Sequence, residues 1–255
     1  MSNAYSVPLV DRKEIAIGTM AFFFERPKEF IFKAGQYLDL TLKNPPYTDD
    51  LGNVRTFSIA SSPNEPRIMV AMRMRNTALK NSLREVPFGT KVELQGPMGS
   101  FTLHKDAARP AVLLAGGIGI TPFRSMVKYA AEEKLSHRIF LFYSNRRPED
   151  AAFLEELMAF QEENPNYTCI PTMTEMTARL GSLQEDALTP GLARMSWSGL
   201  TNYIDAEMIQ GHARNLENAI YYTAGPPAMV TAMRHILDAM NIDDDTIKTE
   251  EFGGY

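Results

Sequence analysis

With 255 residues, 44% of them hydrophobic, the chain has room for one large or two ordinary domains and a sizeable core. A formal net charge of −5 offers no basic footprint for nucleic acid, and the single cysteine, Cys169, excludes an intramolecular disulfide and a cysteine-ligated iron–sulfur cluster. No run of 18 apolar residues and no charged-then-apolar leader is present, and the four histidines lack metal-ligand spacing, so a cytoplasmic protein with no transmembrane segment and no bound metal is expected.

The chain changes character near residue 105. Before it, short β-type runs alternate with turn signals at 14–24, 30–33, 37–42, 55–60, 67–75, 91–94 and 101–103, the spacing of an antiparallel barrel or sandwich. One helix over 77–85, with Thr77 as its N-cap, interrupts them. After Pro110, strand and helix alternate: strands at 111–115, 139–143, 167–172, 219–223 and 246–252, helices at 122–133, 148–162, 204–213 and 227–240. That alternation predicts a parallel, doubly wound α/β sheet. Cys169, in Tyr-Thr-Cys-Ile-Pro, reads as a small core residue, and the 15 methionines as core filler.

Residues 111–126 carry the most information. Ala111 to Ala115 is a continuous apolar run, as expected of a strand buried on both faces. Gly116, Gly117 and Gly119 then permit a tight turn of bare backbone, and Thr121 and Pro122 suit the cap and first position of a helix. Strand, glycine turn and helix N-terminus form a seat for dinucleotide phosphates. Pro122 stands where the third glycine of G-x-G-x-x-G would be, so the alternative of an ordinary βα turn stays open.

Arg55-Thr56-Phe57-Ser58 ends a loop rich in glycine and proline. On a strand, Arg55 and Phe57 share one face, and Thr56 and Ser58 the other. A cation, an aromatic plate and a hydroxyl together suit a phosphate joined to a planar ring; a plain barrel strand with a surface arginine is the alternative. At Thr77-Ala78-Leu79-Lys80 a lysine lies in the first turn of a helix, where it opposes the helix dipole; an anion bound at that end would explain it.

Taken in order, these motifs resemble the ferredoxin–NADP(+) reductase superfamily, a flavin-binding barrel followed by a nicotinamide-binding domain. Arg55-Thr56-Phe57-Ser58 resembles its Arg-x-Tyr-Ser flavin motif, with phenylalanine for tyrosine. Gly96-Pro97-Met98-Gly99-Ser100-Phe101 resembles the turn closing the barrel, Gly116–Pro122 the pyrophosphate loop, and Gly225-Pro226-Pro227-Ala228-Met229 the second glycine-rich turn. The resemblance implies an FAD-binding antiparallel β-barrel over 1–106 and an NAD(P)-binding α/β domain over 107–255. It assigns Arg55 to the flavin phosphates, Phe57 to stacking on the ring, Ser58 to a hydrogen bond near its reactive nitrogen, and Thr77 and Lys80 to the pyrophosphate of FAD. It places Thr121 at the nicotinamide, and adds Thr56, Met72, Arg73, Pro122, Asn145, Arg146, Pro226 and Met229 as cofactor contacts. Ala224 stands where many members have cysteine. At the C-terminus, Glu250-x-Phe252 matches a carboxylate two residues before an aromatic that covers the flavin, with Tyr255 as the alternative cover.

The implied activity is hydride transfer from NAD(P)H to FAD, with Ser58, Thr121 and Glu250 as catalytic candidates. The chain has neither the cysteines nor the length for a fused iron–sulfur or globin domain, so the implied acceptor is separate: a ferredoxin, flavodoxin, rubredoxin, oxygenase component or free flavin. Arg67, Arg73, Arg75 and Lys80 could form a docking patch for it. A free-flavin reductase and a non-catalytic module on the same fold are the alternatives. Coenzyme signals conflict. Arg146 and Arg147 suit a 2′-phosphate, whereas Glu149, Asp150 and Glu175 oppose one, and the balance leans to NADH.

Overall fold

Tyr-Leu-Asp-Leu-Thr-Leu at 37–42 buries every second side chain, Leu38, Leu40 and Leu42, and the same period of two builds the first part of the protein. The computed structural model describes residues 3–176 and 197–253, which divide into two units: 3–104 with 121–135, and 105–120 with 136–253.

The first unit is a barrel-like antiparallel sheet. Its strands are β1 (Ala4–Ala16), β2 (Thr19–Glu25), β3 (Tyr37–Leu42), β4 (Val54–Ser58), β5 (Arg67–Arg73) and β6 (Lys91–Met98), in the order β4-β3-β6-β1-β2-β5. The edge strands meet at one end, where Ala60 N–H donates to the Met69 carbonyl at 2.8 Å and Met69 N–H to Ser61 Oγ at 3.0 Å. Leu9, Phe22, Phe24, Phe30, Leu38 and Leu40 are fully buried inside, each worth about 1.5–3 kcal/mol relative to exposure. Helix α1 (Ala78–Glu85) seals the interior with Leu79 and Leu83.

Three sequence expectations are corrected here. The run 14–24 is a hairpin rather than one strand, because Gly18, at φ +63°, lets the chain reverse between Ala16 and Thr19. Segments 30–33 and 101–103 are not strands: Phe30, Phe32 and Phe101 are buried from loops, so their apolar character reflects packing, not pairing. The strand over residues 4–13, masked in the sequence by Pro8 and its charged residues, pairs with both β2 and β6.

Helix α2 (Ile120–Glu132) clusters with this unit. Arg124, 4% exposed, forks onto Glu65 at 2.8 and 3.2 Å and donates to the Ala60 carbonyl at 2.7 Å. Ser125 Oγ donates to the Ser61 carbonyl at 2.7 Å, and Asn64 Nδ2 to Glu133 at 2.7 Å.

The second unit is a parallel sheet of β7 (Ala111–Gly116), β8 (Ile139–Asn145), β9 (Tyr167–Met173), β10 (Ile220–Gly225) and β11 (Ile247–Glu251), ordered β11-β10-β7-β8-β9. Every residue of β7 and β10 is buried, which accounts for the unbroken apolar run of β7 and leaves Thr223 as the polar side chain enclosed in β10. Its described helices are α3 (Leu154–Glu163), α4 (Ala206–His212) and α5 (Pro227–Ala239). The helix expected over 148–162 is split: a short turn at Pro148–Asp150 is followed by Phe153 at φ +61°, a left-handed conformation that no helix continues. Cys169 is half-buried, and burial pushes its thiol up to about 11, which suits packing and not nucleophilic chemistry.

Candidate functional site

In the first unit the chemistry gathers at the N-terminus of α1. Strand β4 lies at the sheet edge, and its register opposes Phe57 to Leu38 and Arg55 to Leu40. Directly opposed residues share a face, so Arg55 and Phe57 stand on the interior side, with Phe57 half-buried against the barrel core. Thr56 takes the other face and bonds the Asp39 carboxylate. Ser58, 4% exposed, ends the strand.

Arg55 Nη1 donates to the carbonyls of Leu51, Gly52 and Val54 at 2.7, 3.2 and 2.6 Å. Its Nη2 is buried and makes no hydrogen bond; the Asp49 carboxylate lies 3.7 Å away. Thr77 is the capping residue of α1, yet its side chain makes no cap bond, and its Oγ1 is buried without a partner. Asp49 caps the helix instead, accepting from Ala78 N–H at 2.8 Å. Lys80 Nζ donates to the Arg73 carbonyl at 2.8 Å. Burial, then the charges of Arg75 and Arg55, pull its ammonium below the usual range. Three converging cations, a helix N-terminus and two orphaned donors form a seat for an anion, and these residues fit the diphosphate of a flavin dinucleotide.

Met72 has its side chain in the barrel core, 3% exposed. The expected docking patch is also reduced: Arg67 faces Asp11 at 3.6 Å, and Lys80 turns inward. Sequence reasoning missed Asp49, whose part depends on a chain reversal that brings it to Ala78.

In the second unit the strand order reverses between β7 and β10, and both end in glycine. Ligands of open α/β sheets bind at this switch point. The two turns interlock: a Cβ at Gly116 would stand 2.1 Å from Met229 S, and one at Gly119 would stand 2.3 Å from the Ala224 carbonyl. Gly117–Gly119 is a single 3₁₀ turn running straight into α2. Thr121 is therefore not the N-cap expected; it is the second residue of α2, 1% exposed, followed by Pro122. The run-in from Gly117 supplies the first carbonyls of the helix, as Ile120 N–H bonds Gly117 and Ile118.

Asn145 ends β8 with a buried Nδ2 that has no partner, and Thr223 in β10 has a buried, unpartnered Oγ1. Such orphaned groups are costly without a ligand. Beyond Asn145, Arg147 forks onto Asp150 at 2.9 and 3.1 Å, and that hydrogen bond raises its guanidinium further. Arg146 is 58% exposed, with Nε 4.0 Å from both Asp150 and Glu175. At the sheet edge, Glu250 pairs with Ala224, and Phe252 N–H donates to the Gly225 carbonyl at 3.0 Å. Half-buried Glu250 and Phe252 alternate with exposed Glu251, as their spacing predicts. Tyr255, the alternative cover, lies outside the described residues.

Residues 113–235 match the oxidoreductase NAD-binding domain model. The reductase component of propane 2-monooxygenase from Mycolicibacterium smegmatis is 27% identical over 89% of this chain and 60% of its own length. One component of the Na(+)-translocating NADH-quinone reductase of Actinobacillus succinogenes is 27% identical over 79% of this chain and 49% of its own. The chain thus spans about half to three-fifths of these curated relatives. In fold it is similar to a ferredoxin NADP+ reductase from Neisseria gonorrhoeae solved with bound FAD and NADP, with a TM-score of 0.73 at 19% identity over 98% of this chain and 99% of that one.

The NAD-binding match thus covers just under half of the chain, and the similarity of fold extends over nearly all of it. That similarity takes in both the barrel-like antiparallel unit and the parallel α/β unit. No described helix is long and apolar enough to cross a membrane.

Proposed function

We infer that the protein is an NAD(P)H-dependent flavoprotein reductase that passes electrons to a separate acceptor. The observation that carries this reading is the pair of orphaned donors, Arg55 Nη2 and Thr77 Oγ1, in a cationic seat at the start of α1. A flavin, when bound, supplies the redox chemistry by taking hydride from the nicotinamide and handing electrons on; the protein aligns and tunes it. Residues 1–106 act as the flavin domain and 107–255 as the nicotinamide domain. Arg55, Thr77 and Lys80 hold the diphosphate, and Phe57 offers a ring face. Ser58 acts near the reactive nitrogen of the flavin ring, Thr121 lines the nicotinamide slot, Glu250 helps shape the contact for hydride transfer, and Phe252 covers the flavin. The relatives named as reductase components support a separate protein acceptor, such as a ferredoxin-like protein or an oxygenase component, and the use of NAD(P)H fits a cytoplasmic location.

The purified protein should release a flavin on denaturation, identified by mass as FAD rather than FMN, because the α1 seat has donors for a second phosphate. No flavin after reconstitution with FAD or FMN would overturn the reading.

NADH is the expected coenzyme. Both arginines after β8 are engaged with or near carboxylates: Arg147 is forked onto Asp150, and Arg146 stands between Asp150 and Glu175. With Glu149 3.7 Å from Arg147 Nε, three carboxylates surround the two guanidinium groups and repel a 2′-phosphate, while Glu175 can accept from ribose hydroxyls. The relative named for NADH points the same way. A kcat/KM ratio of about tenfold for NADH over NADPH is expected, roughly 1.4 kcal/mol, falling in Glu175→Gln. A preference of about a hundredfold for NADPH would reverse the assignment.

A further inference from the structure

The segment from Pro45 to Asn53 is a strap across the start of α1. It is pinned at both ends. Tyr47 N–H donates to Ser82 Oγ at 3.2 Å, its hydroxyl reaches Glu85 at 2.6 Å, and Asn53 Nδ2 donates to the Leu42 carbonyl at 3.0 Å. Between the pins, a turn closes from Gly52 N–H to the Asp49 carbonyl at 3.0 Å, with Gly52 at φ +73°. This turn delivers the Asp49 side chain inward. One carboxylate oxygen accepts from Ala78 N–H at 2.8 Å, and the other lies 3.7 Å from Arg55 Nη2 and accepts from Leu51 N–H at 3.1 Å. Beneath the strap is a pocket of about 230 Å³ lined by Tyr47, Asp49 and Leu79 among others.

Those partners are the ones a phosphate would take. A helix N–H, a guanidinium and nearby lysine charge suit any anion, and Asp49 already supplies one. A diphosphate cannot share the seat with it, since like charges within a few ångströms are mutually destabilising. Within residues 48–52 the large apolar side chain, Leu51, is 68% exposed, so the swing gives up the Arg55 bonds to the Leu51 and Gly52 carbonyls but no apolar packing.

We propose that Asp49 is a built-in competitor for the flavin diphosphate, so that cofactor binding requires residues 48–52 to swing aside and the strap sets how tightly flavin is held. This rests on the flavin-reductase reading and adds the residue that governs retention. The same geometry makes the competition specific to phosphate: a flavin lacking one has no quarrel with Asp49.

The test is titration of flavin-stripped protein with FAD and with riboflavin, in the parent and in Asp49→Asn and Asp49→Ser. Both substitutions remove the charge, and asparagine keeps an oxygen in place for Ala78 N–H. FAD affinity should rise at least tenfold, with slower release, while riboflavin affinity stays put. Gly52→Ala gives an independent route, since it meets nothing within 4 Å but strains the turn that delivers Asp49; FAD should again bind more tightly. Unchanged or weaker FAD binding in all three variants, with the parent still binding FAD, overturns the competition and leaves the reductase reading intact. Equal tightening of riboflavin overturns it too, since a charge effect cannot do that. Failure of every protein, parent included, to bind any flavin overturns both.

Discussion

Replacing Arg55 by alanine is expected to weaken flavin binding by about 10- to 100-fold, roughly 1.4–2.7 kcal/mol, the range of a lost hydrogen bond to a charged group. The expectation follows from how the guanidinium is used. One nitrogen organises the strap by donating to the carbonyls of Leu51, Gly52 and Val54. The other is buried, makes no hydrogen bond and faces the anion seat. Arg55→Lys should recover only part of the loss, because an ammonium cannot fork onto a phosphate as a guanidinium does. Nicotinamide affinity should be unchanged, since the proposed contacts for that coenzyme near Asn145 and Gly225 lie in the other unit. The measurement is flavin content at limiting flavin, with a melting curve to separate loosening of the strap from loss of the phosphate contact. Equal flavin content in variant and parent would show that Arg55 serves the strap alone.

Such predictions could be framed because much of this protein is written in short-range pattern. Short β-type runs between turn signals marked β3 and β5, the first alternating and the second apolar along its middle, and an unbroken apolar run marked β7, since burial on one or both faces leaves those signatures. The glycine turns were legible for a similar reason. Gly116 and Gly119 have no room for a Cβ against Met229 and the Ala224 carbonyl, so the sequence must carry glycine there. Errors arose where burial and pairing part company. Phe30, Phe32 and Phe101 are buried without being strand residues. Thr121 has the chemistry of a cap but lies inside the helix, because the 3₁₀ turn before it already supplies the first carbonyls. Thr77 holds the cap position, but its hydroxyl leaves the capping to Asp49. Asp49 is separated from Ala78 by 29 residues. No local pattern announces a contact made only after the strap folds back.

Arg124→Ala is expected to be strongly destabilising, at about 3 kcal/mol, because it removes the buried partner of the half-buried Glu65 carboxylate. Arg124 was silent in the sequence, one charge on the helix after the glycine turn, and the structure makes it the hub of the first unit. It bonds Glu65 twice and the Ala60 carbonyl once, beside the point where the edge strands meet. Burial works to raise the Glu65 carboxyl. The hydrogen bond and charge of Arg124, the Ser62 N–H and Lys128 outweigh it and hold the group below its usual range. A depressed folded value fixes the sign of the pH dependence. The contribution is full above the unfolded carboxylate value of roughly 4.3 and is lost as the pH falls through the lower folded value. Thermal melting should therefore show a large gap between parent and Arg124→Ala at neutral pH, about 2–4 °C per kcal/mol, narrowing in acid as Glu65 takes a proton. Glu65→Gln should remove most of that acid-sensitive part while leaving Arg124 buried beside a neutral amide. Replacing both residues by apolar side chains of similar volume should cost far less than either single change, because no orphaned charge remains. A single Arg124→Ala variant that melts within about 0.5 kcal/mol of the parent at neutral pH would mean that the lost partner is made good by water or by Lys128, and that the hub is not where the first unit draws its stability.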